Sequence, residues 1–320
     1  MPYVEPAAVG IGAMLRAGVD PEELRARVGE LTDAAQYGWG HTIDFGTFVQ
    51  HGLLATKYER IAGAFDALGW WPTDLSGLRT ADVGAYTGGI SAIMASRGAE
   101  VVYSVDELPE HGRQAACVAD AFGLGAMQVV HASLYDLHDN VEPGSLDLIV
   151  CAGVLYHLSD MLVGIIRLQQ LLKPGGVLLL ETNAVEDFER SYANYGRFVG
   201  GMWWQPTARC VADLCQHAGL ADIQLEFLQP ERLLVRAVRS SEEPLPFVRG
   251  LALTPEELGR TDRADATARS LDMSELAPAI NLGAQAGMLR RALWGMLDRL
   301  MRLPMRVGYV VRHAVRGRRR

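Results

Sequence analysis

Residues 79–89 read Arg79-Thr80-Ala81-Asp82-Val83-Gly84-Ala85-Tyr86-Thr87-Gly88-Gly89. A short apolar run enters a glycine-rich turn, and residues 90–97 then carry apolar side chains at helical spacing. Glycines at such a turn let the backbone reverse sharply and approach a ligand closely. A second apolar run, 100–105, is followed by Asp106, 18 residues after Gly88. A carboxylate at that distance along a strand–helix–strand unit is placed to accept from both hydroxyls of a ribose. A glycine-rich turn alone is a weak signal, and the spaced acid strengthens it.

Outward from this unit the alternation continues. Runs 127–131, 146–152 and 177–181 are further candidate strands, and 111–122 and 162–172 are candidate helices. Strands alternating with helices pair in parallel through crossovers, which predicts an α/β sheet covered on both faces. Lys173-Pro174-Gly175-Gly176 ends a helix and feeds a wholly apolar strand. Residues 188–204 read as an irregular, aromatic-rich stretch. Pro206-Thr207 opens another helix, and runs 223–228 and 232–238 predict a closing hairpin around Gln229-Pro230-Glu231. Residues 1–77 read as a helical N-terminal extension that contributes to the pocket, 78–239 as the ligand-binding domain, and 240–320 as a C-terminal helical appendage.

Composition excludes several classes. With 320 residues, 49% hydrophobic and 21% charged, the chain is neither disordered, collagenous nor a coiled coil. Cys117, Cys151, Cys210 and Cys215 make no CxxC pair, so a reducing, cytoplasmic setting is expected. No basic segment precedes the first apolar stretch, so no signal peptide is expected, and no apolar run reaches the ~20 residues of a membrane span. Two lysines beside 28 arginines suggest a GC-rich bacterial source. Asp136, His138 and Asp139 lie close in sequence but make a poor ligand set, and no metal is expected.

The turn is not a dinucleotide GxGxxG. Asp82 before the first glycine suits the cationic amino-acid end of S-adenosylmethionine (SAM) better than a pyrophosphate. Residues 78–238 resemble the class I SAM-dependent methyltransferases, with a Rossmann-like sheet. The resemblance rests on the turn with Asp82, Gly84 and Gly88, on Asp106, on Leu146-Asp147-Leu148-Ile149-Val150-Cys151 and on the Lys-Pro-Gly-Gly turn. It implies SAM as cofactor. Tyr86 departs from the pattern, standing where the family has its middle glycine, so its side chain must turn away from the cofactor or cover it.

Val154-Leu155-Tyr156-His157-Leu158 narrows the resemblance to the tRNA wobble-uridine carboxymethyltransferase family and its small-molecule-acting relatives. His41-Thr42-Ile43-Asp44, Lys57-Tyr58-Glu59-Arg60 and Trp203-Trp204-Gln205-Pro206-Thr207 match that family in order. Its tRNA enzymes use a carboxylated SAM, held through a lysine, the tyrosine of this block and a C-terminal arginine. Lys57 aligns with one family lysine and Tyr156 with the tyrosine; the N-terminal segment offers no match for the family's other binding lysine, and the region after Ser240 none for the arginine. Ordinary methyl transfer from SAM is therefore the preferred expectation, to a hydroxyl on a small-molecule or glycan-type acceptor. A carboxymethyl- or methyltransferase on a tRNA wobble uridine is the alternative, and a non-catalytic SAM-binding protein is a third.

Transfer from a sulfonium needs alignment and, for a hydroxyl acceptor, a base. His157 is the leading base, because imidazole titrates near neutrality; a loop-bracing histidine is the plainer reading. Tyr156 would orient acceptor or cofactor. Glu181, at a strand end facing the same mouth, would bind acceptor hydroxyls or act as an alternative base. His41, Tyr192, Trp203 and Trp204 are candidate acceptor contacts, the aromatic ones forming a lid by stacking.

The charge is split. Residues 289–320 hold ten arginines against Asp298, a balance of +9, while the remaining residues carry −17. Residues 288–303 read as an amphipathic helix. Three readings of this tail stand: anionic membrane lipid, nucleic-acid phosphate, or packing on the acidic body or on a second subunit of a homo-oligomer.

Overall fold

The computed structural model describes residues 3–5 and 10–240. The appendage over 240–320, the helix over 288–303 and the basic tail over 289–320 lie outside the described residues, apart from Ser240 itself.

The chain runs α1 (Pro21–Ala34), β1 (Ile43–Asp44), β2 (Val49–Gln50), α2 (Lys57–Ala67), β3 (Arg79–Val83), α3 (Gly89–Ser96), β4 (Val101–Asp106), α4 (Pro109–Phe122) and β5 (Met127–His131). It continues through a 3₁₀ segment (Leu134–Asp139), β6 (Leu146–Ala152), a 3₁₀ turn (Leu155–His157), α5 (Met161–Leu171), β7 (Leu172–Asn183), β8 (Ala193–Val199), β9 (Met202–Pro206), α6 (Ala208–His217), β10 (Leu220–Gln229) and β11 (Arg232–Arg239). The start of α1 shows why these residues form a helix here. Asp20 accepts from the Glu22 N–H, Pro21 sits in the first turn, and acids follow at Glu22 and Glu23.

Seven strands form one sheet in the order β10-β11-β7-β6-β3-β4-β5. β3, β4, β5, β6 and β7 pair in parallel, and β11 enters antiparallel to both β7 and β10. This is the Rossmann-like sheet that the sequence resemblance predicts. The chain reverses direction across the sheet between β3 and β6, and ligands bind beyond the carboxyl ends of the strands at such a point. Successive strand residues serve opposite cores. Leu148 and Val150 pack with α2, α3 and α4, while Ile149 and Cys151 pack with α5 and α6.

Two regions differ from the sequence reading. The N-terminal extension contains a small β1–β2 hairpin in addition to its helices. The aromatic stretch is not irregular: β8 and β9 form a hairpin with Tyr195 opposite Trp204. Its period was hidden because the ladder breaks between Tyr195 and Val199, where Arg197 and Phe198 both take positive φ. All four cysteines are free thiols, three of them buried. Among the described residues no helix is long and apolar enough to cross a membrane.

Candidate active site

The glycine turn stands at the end of β3, with Gly84 and Ala85 both donating to the Val105 carbonyl of β4. Gly84 has φ +78°, and a Cβ there would lie 2.2 Å from Val154 Cγ2. That close approach brings the turn after β6, with Tyr156 and His157, up to the cofactor turn. Gly88, at φ +75°, is the residue before α3 and packs against Ala115. Tyr86 has φ +53°, the left-handed conformation that favours glycine. Its ring leans on Gly40, where a Cβ would come within 1.6 Å of Tyr86 Cδ1, and tilts against His111 at 3.9 Å between centroids. The ring thus lies between Gly40 and His111.

Asp106 closes the other side. Its Oδ2 accepts from the Tyr86 N–H at 2.9 Å. Its Oδ1 accepts from the Leu108 N–H at 3.0 Å and from His111 Nδ1 at 2.9 Å. Asp82 is buried under the turn. Its Oδ2 accepts from the Ser91 N–H and hydroxyl at 2.9 and 2.7 Å, bracing the start of α3. Burial pushes its carboxyl up to about 6 despite those two bonds. Its first task is therefore to hold the turn. Lys57 is exposed at the start of α2.

His41, an expected acceptor contact, lies buried beside the glycine turn and Tyr86 rather than on the β8–β9 hairpin. It is 8% exposed and donates its backbone N–H to Thr87 Oγ1 at 2.8 Å. Its ring sits 4.9 Å from Tyr58 and 5.6 Å from Tyr86, and burial drives its pKa down to about 3, so it is neutral. Its Nδ1 and His111 Nε2 are both buried without a hydrogen-bond partner. Polar atoms orphaned in this way beside Asp106, together with glycines that hold the backbone close, fit a nucleoside cofactor.

The residues expected on the acceptor side stand at β6, β7 and the β8–β9 hairpin. His157 lies exposed on its 3₁₀ turn with Nδ1 2.6 Å from the Gly201 carbonyl. A carbonyl only accepts, so Nδ1 carries the proton and Nε2 keeps its lone pair in the neutral ring. Trp204 Nε1 donates to the Ser159 carbonyl at 2.9 Å, a second tie between hairpin and turn. Trp203 stacks on Tyr195 at 6.2 Å and meets Phe198 at 5.0 Å. Tyr192, just before β8, is exposed with Arg190 5.9 Å from its ring. Trp203 and Trp204 thus gather with Tyr195 and Phe198 on the hairpin tied to the His157 turn, while Tyr192 stands apart at its start.

Glu181 requires a correction. It is 1% exposed, and both its oxygens accept from Arg232, Nη2 to Oε2 at 2.5 Å and Nε to Oε1. A carboxylate held at two points by a guanidinium is a poor base and has little left for acceptor hydroxyls. Arg232 also lies 5.2 Å over the Tyr156 ring. Burial works against its charge, and Glu181 and Tyr156 outweigh that and hold its pKa up. Sequence reasoning missed Arg232, His111 and Ser91. Arg232 was findable, because a hairpin returning antiparallel beside β7 brings its first residue to the carboxyl end of that strand.

A family described as a methyltransferase domain matches residues 50–225. A tRNA U34 carboxymethyltransferase from Idiomarina loihiensis is 29% identical over 185 residues, covering 57% of this chain and 55% of that protein. A ubiquinone biosynthesis O-methyltransferase from Xanthomonas campestris pv. campestris is 36% identical over 110 residues, covering 34% of this chain and 44% of the other. The chain spans about half the length of the curated relatives it matches. A SAM-dependent methyltransferase structure from Mesorhizobium loti is 19% identical with a TM-score of 0.42, covering 56% of this chain and all of that one.

Proposed function

Because the chain belongs to the methyltransferase-domain family, with SAM as its cofactor, we propose that it O-methylates a hydroxyl on a small-molecule or glycan-type acceptor. The observation that carries this reading is the His157–Gly201 hydrogen bond, which in the neutral ring puts the Nε2 lone pair at an exposed position. SAM supplies an activated methyl group on a good leaving group. Asp106 and the backbone from Gly84 to Gly88 would hold it. His157 Nε2 takes the hydroxyl proton, the Gly201 carbonyl stabilises the imidazolium through Nδ1, and Trp203 and Trp204, with Tyr192 at the start of their hairpin, position the acceptor and exclude water. The neighbouring Arg232–Glu181 pair fixes the Tyr156 ring.

The test is transfer of labelled methyl from SAM into hydroxyl-bearing metabolite fractions. His157→Ala should lower kcat by about 10²–10⁴-fold with cofactor affinity unchanged. Full turnover in that variant would remove His157 as the base.

One observation favours the tRNA wobble-uridine reading as a second. Arg232 stands over Tyr156, which is where a carboxylated SAM would need a cation, and the Idiomarina relative is named for carboxymethyl transfer. Glu181 already neutralises that guanidinium, which keeps ordinary SAM first. Mass spectrometry of the co-purified nucleoside separates the two: a carboxylated form would reverse the order.

A further inference from the structure

Asp106 is the acid placed for the ribose, and most of its capacity is already used. An ionised carboxylate offers about four lone-pair directions. The Tyr86 N–H takes one on Oδ2, and the Leu108 N–H and His111 Nδ1 take both on Oδ1. One direction remains, on Oδ2. A ribose presents two neighbouring hydroxyl donors, so one of them needs another acceptor.

His111 has that acceptor. Asp106 is on its Nδ1, so in the neutral ring Nδ1 carries the proton and Nε2 holds a lone pair. The residue is 4% exposed and its Nε2 has no partner. Native interiors rarely leave such an atom unpaired without a functional reason. Its place on the first turn of α4, directly against the carboxylate, makes it one structural unit with Asp106. The Tyr86 ring, tilted over the imidazole, is joined to the same carboxylate only through its backbone N–H. The ring can therefore swing while that bond stays.

We propose that His111 is a second ribose acceptor: its Nε2 takes one hydroxyl while the open direction on Asp106 Oδ2 takes the other, the Tyr86 ring turning off the imidazole as the cofactor enters. This rests on the reading of the turn as a SAM site.

Calorimetric titration of the full chain with S-adenosylhomocysteine and its 2′-deoxy and 3′-deoxy analogues tests it, in wild type and in His111→Asn. Asparagine keeps a donor for Asp106 but has no acceptor where Nε2 stands. The variant should bind S-adenosylhomocysteine about five- to tenfold more weakly, the loss of one hydrogen bond. For one of the two deoxy analogues, wild type and variant should bind alike. Unchanged affinity in the variant, or equal weakening for all three ligands, overturns the proposal and leaves the SAM site standing. No binding to wild type removes both. Should His111→Asn fail to fold, ¹⁵N-histidine spectra of wild type decide. Adding S-adenosylhomocysteine should move an unprotonated Nε2 resonance upfield, and an unmoved or protonated Nε2 overturns the proposal.

Discussion

Arg232 and Glu181 form a two-point ion pair at the carboxyl end of the β7–β11 ladder, the acid 1% and the guanidinium 23% exposed by side chain. A buried pair of this kind adds little over a well-packed apolar pair, yet breaking it leaves one charge with no partner. Arg232→Met should therefore destabilise by about 3–5 kcal/mol. Glu181→Gln/Arg232→Met should recover much of that loss. Denaturant midpoints of the two single variants and the double measure the coupling, and simple additivity would show that the pair is not the unit described.

Gly40 and Tyr86 should be coupled by shape alone. A Cβ at Gly40 would stand 1.6 Å from Tyr86 Cδ1, and Tyr86 holds a positive φ on a turn it cannot leave. Gly40→Ala should cost about 1–3 kcal/mol through overpacking. With Tyr86→Gly the ring is gone and Thr87 Cγ2, 3.0 Å from that Cβ, stays close, while the turn gains the residue its backbone favours. Thermal unfolding of the double variant should show most of the alanine penalty gone; an unchanged penalty would place the strain elsewhere.

The parallel sheet was legible because its residues obey one local rule, short apolar runs separated by helical spacing, and the glycine turn with Asp106 repeats that logic at the ligand. What escaped depends on contacts across long stretches of chain. Arg232 meets Glu181 across 51 residues, a contact signalled only by the predicted hairpin beside β7, and His41 meets Thr87 across 46 with no local pattern to signal it. His157 was legible as a histidine at the mouth of β6. Its role depends on Gly201, whose carbonyl reaches it only because the β8–β9 hairpin folds back over the turn.

That hairpin carries the next prediction. Trp203 contacts Tyr195 and Phe198 but shares no bond with Asp106 or the glycine turn. Trp203→Ala should raise the acceptor KM by about tenfold, the scale of one lost aromatic contact, and leave S-adenosylhomocysteine affinity unchanged. A loss in cofactor affinity with normal acceptor KM would move the hairpin to the cofactor side.

Asp82 and His41 should oppose each other as pH changes. Asp82 has a folded pKa of about 6 against an ordinary 3.8, so its contribution is full below 3.8 and is lost as pH rises through 6. His41 has a folded pKa of about 3 against 6.5, so its contribution is full above 6.5 and is lost as pH falls toward 3. Between about pH 4 and 6 the two slopes have opposite signs, each at most about 1.4 kcal/mol per pH unit, and they largely cancel. Relative to wild type, His41→Asn should gain stability as pH falls from 6 to 4, and Asp82→Asn should lose it. Denaturant unfolding at several pH values in this window reads the differences, which remove the common background of other titrating groups. Parallel curves for all three proteins would mean that neither group is buried as described.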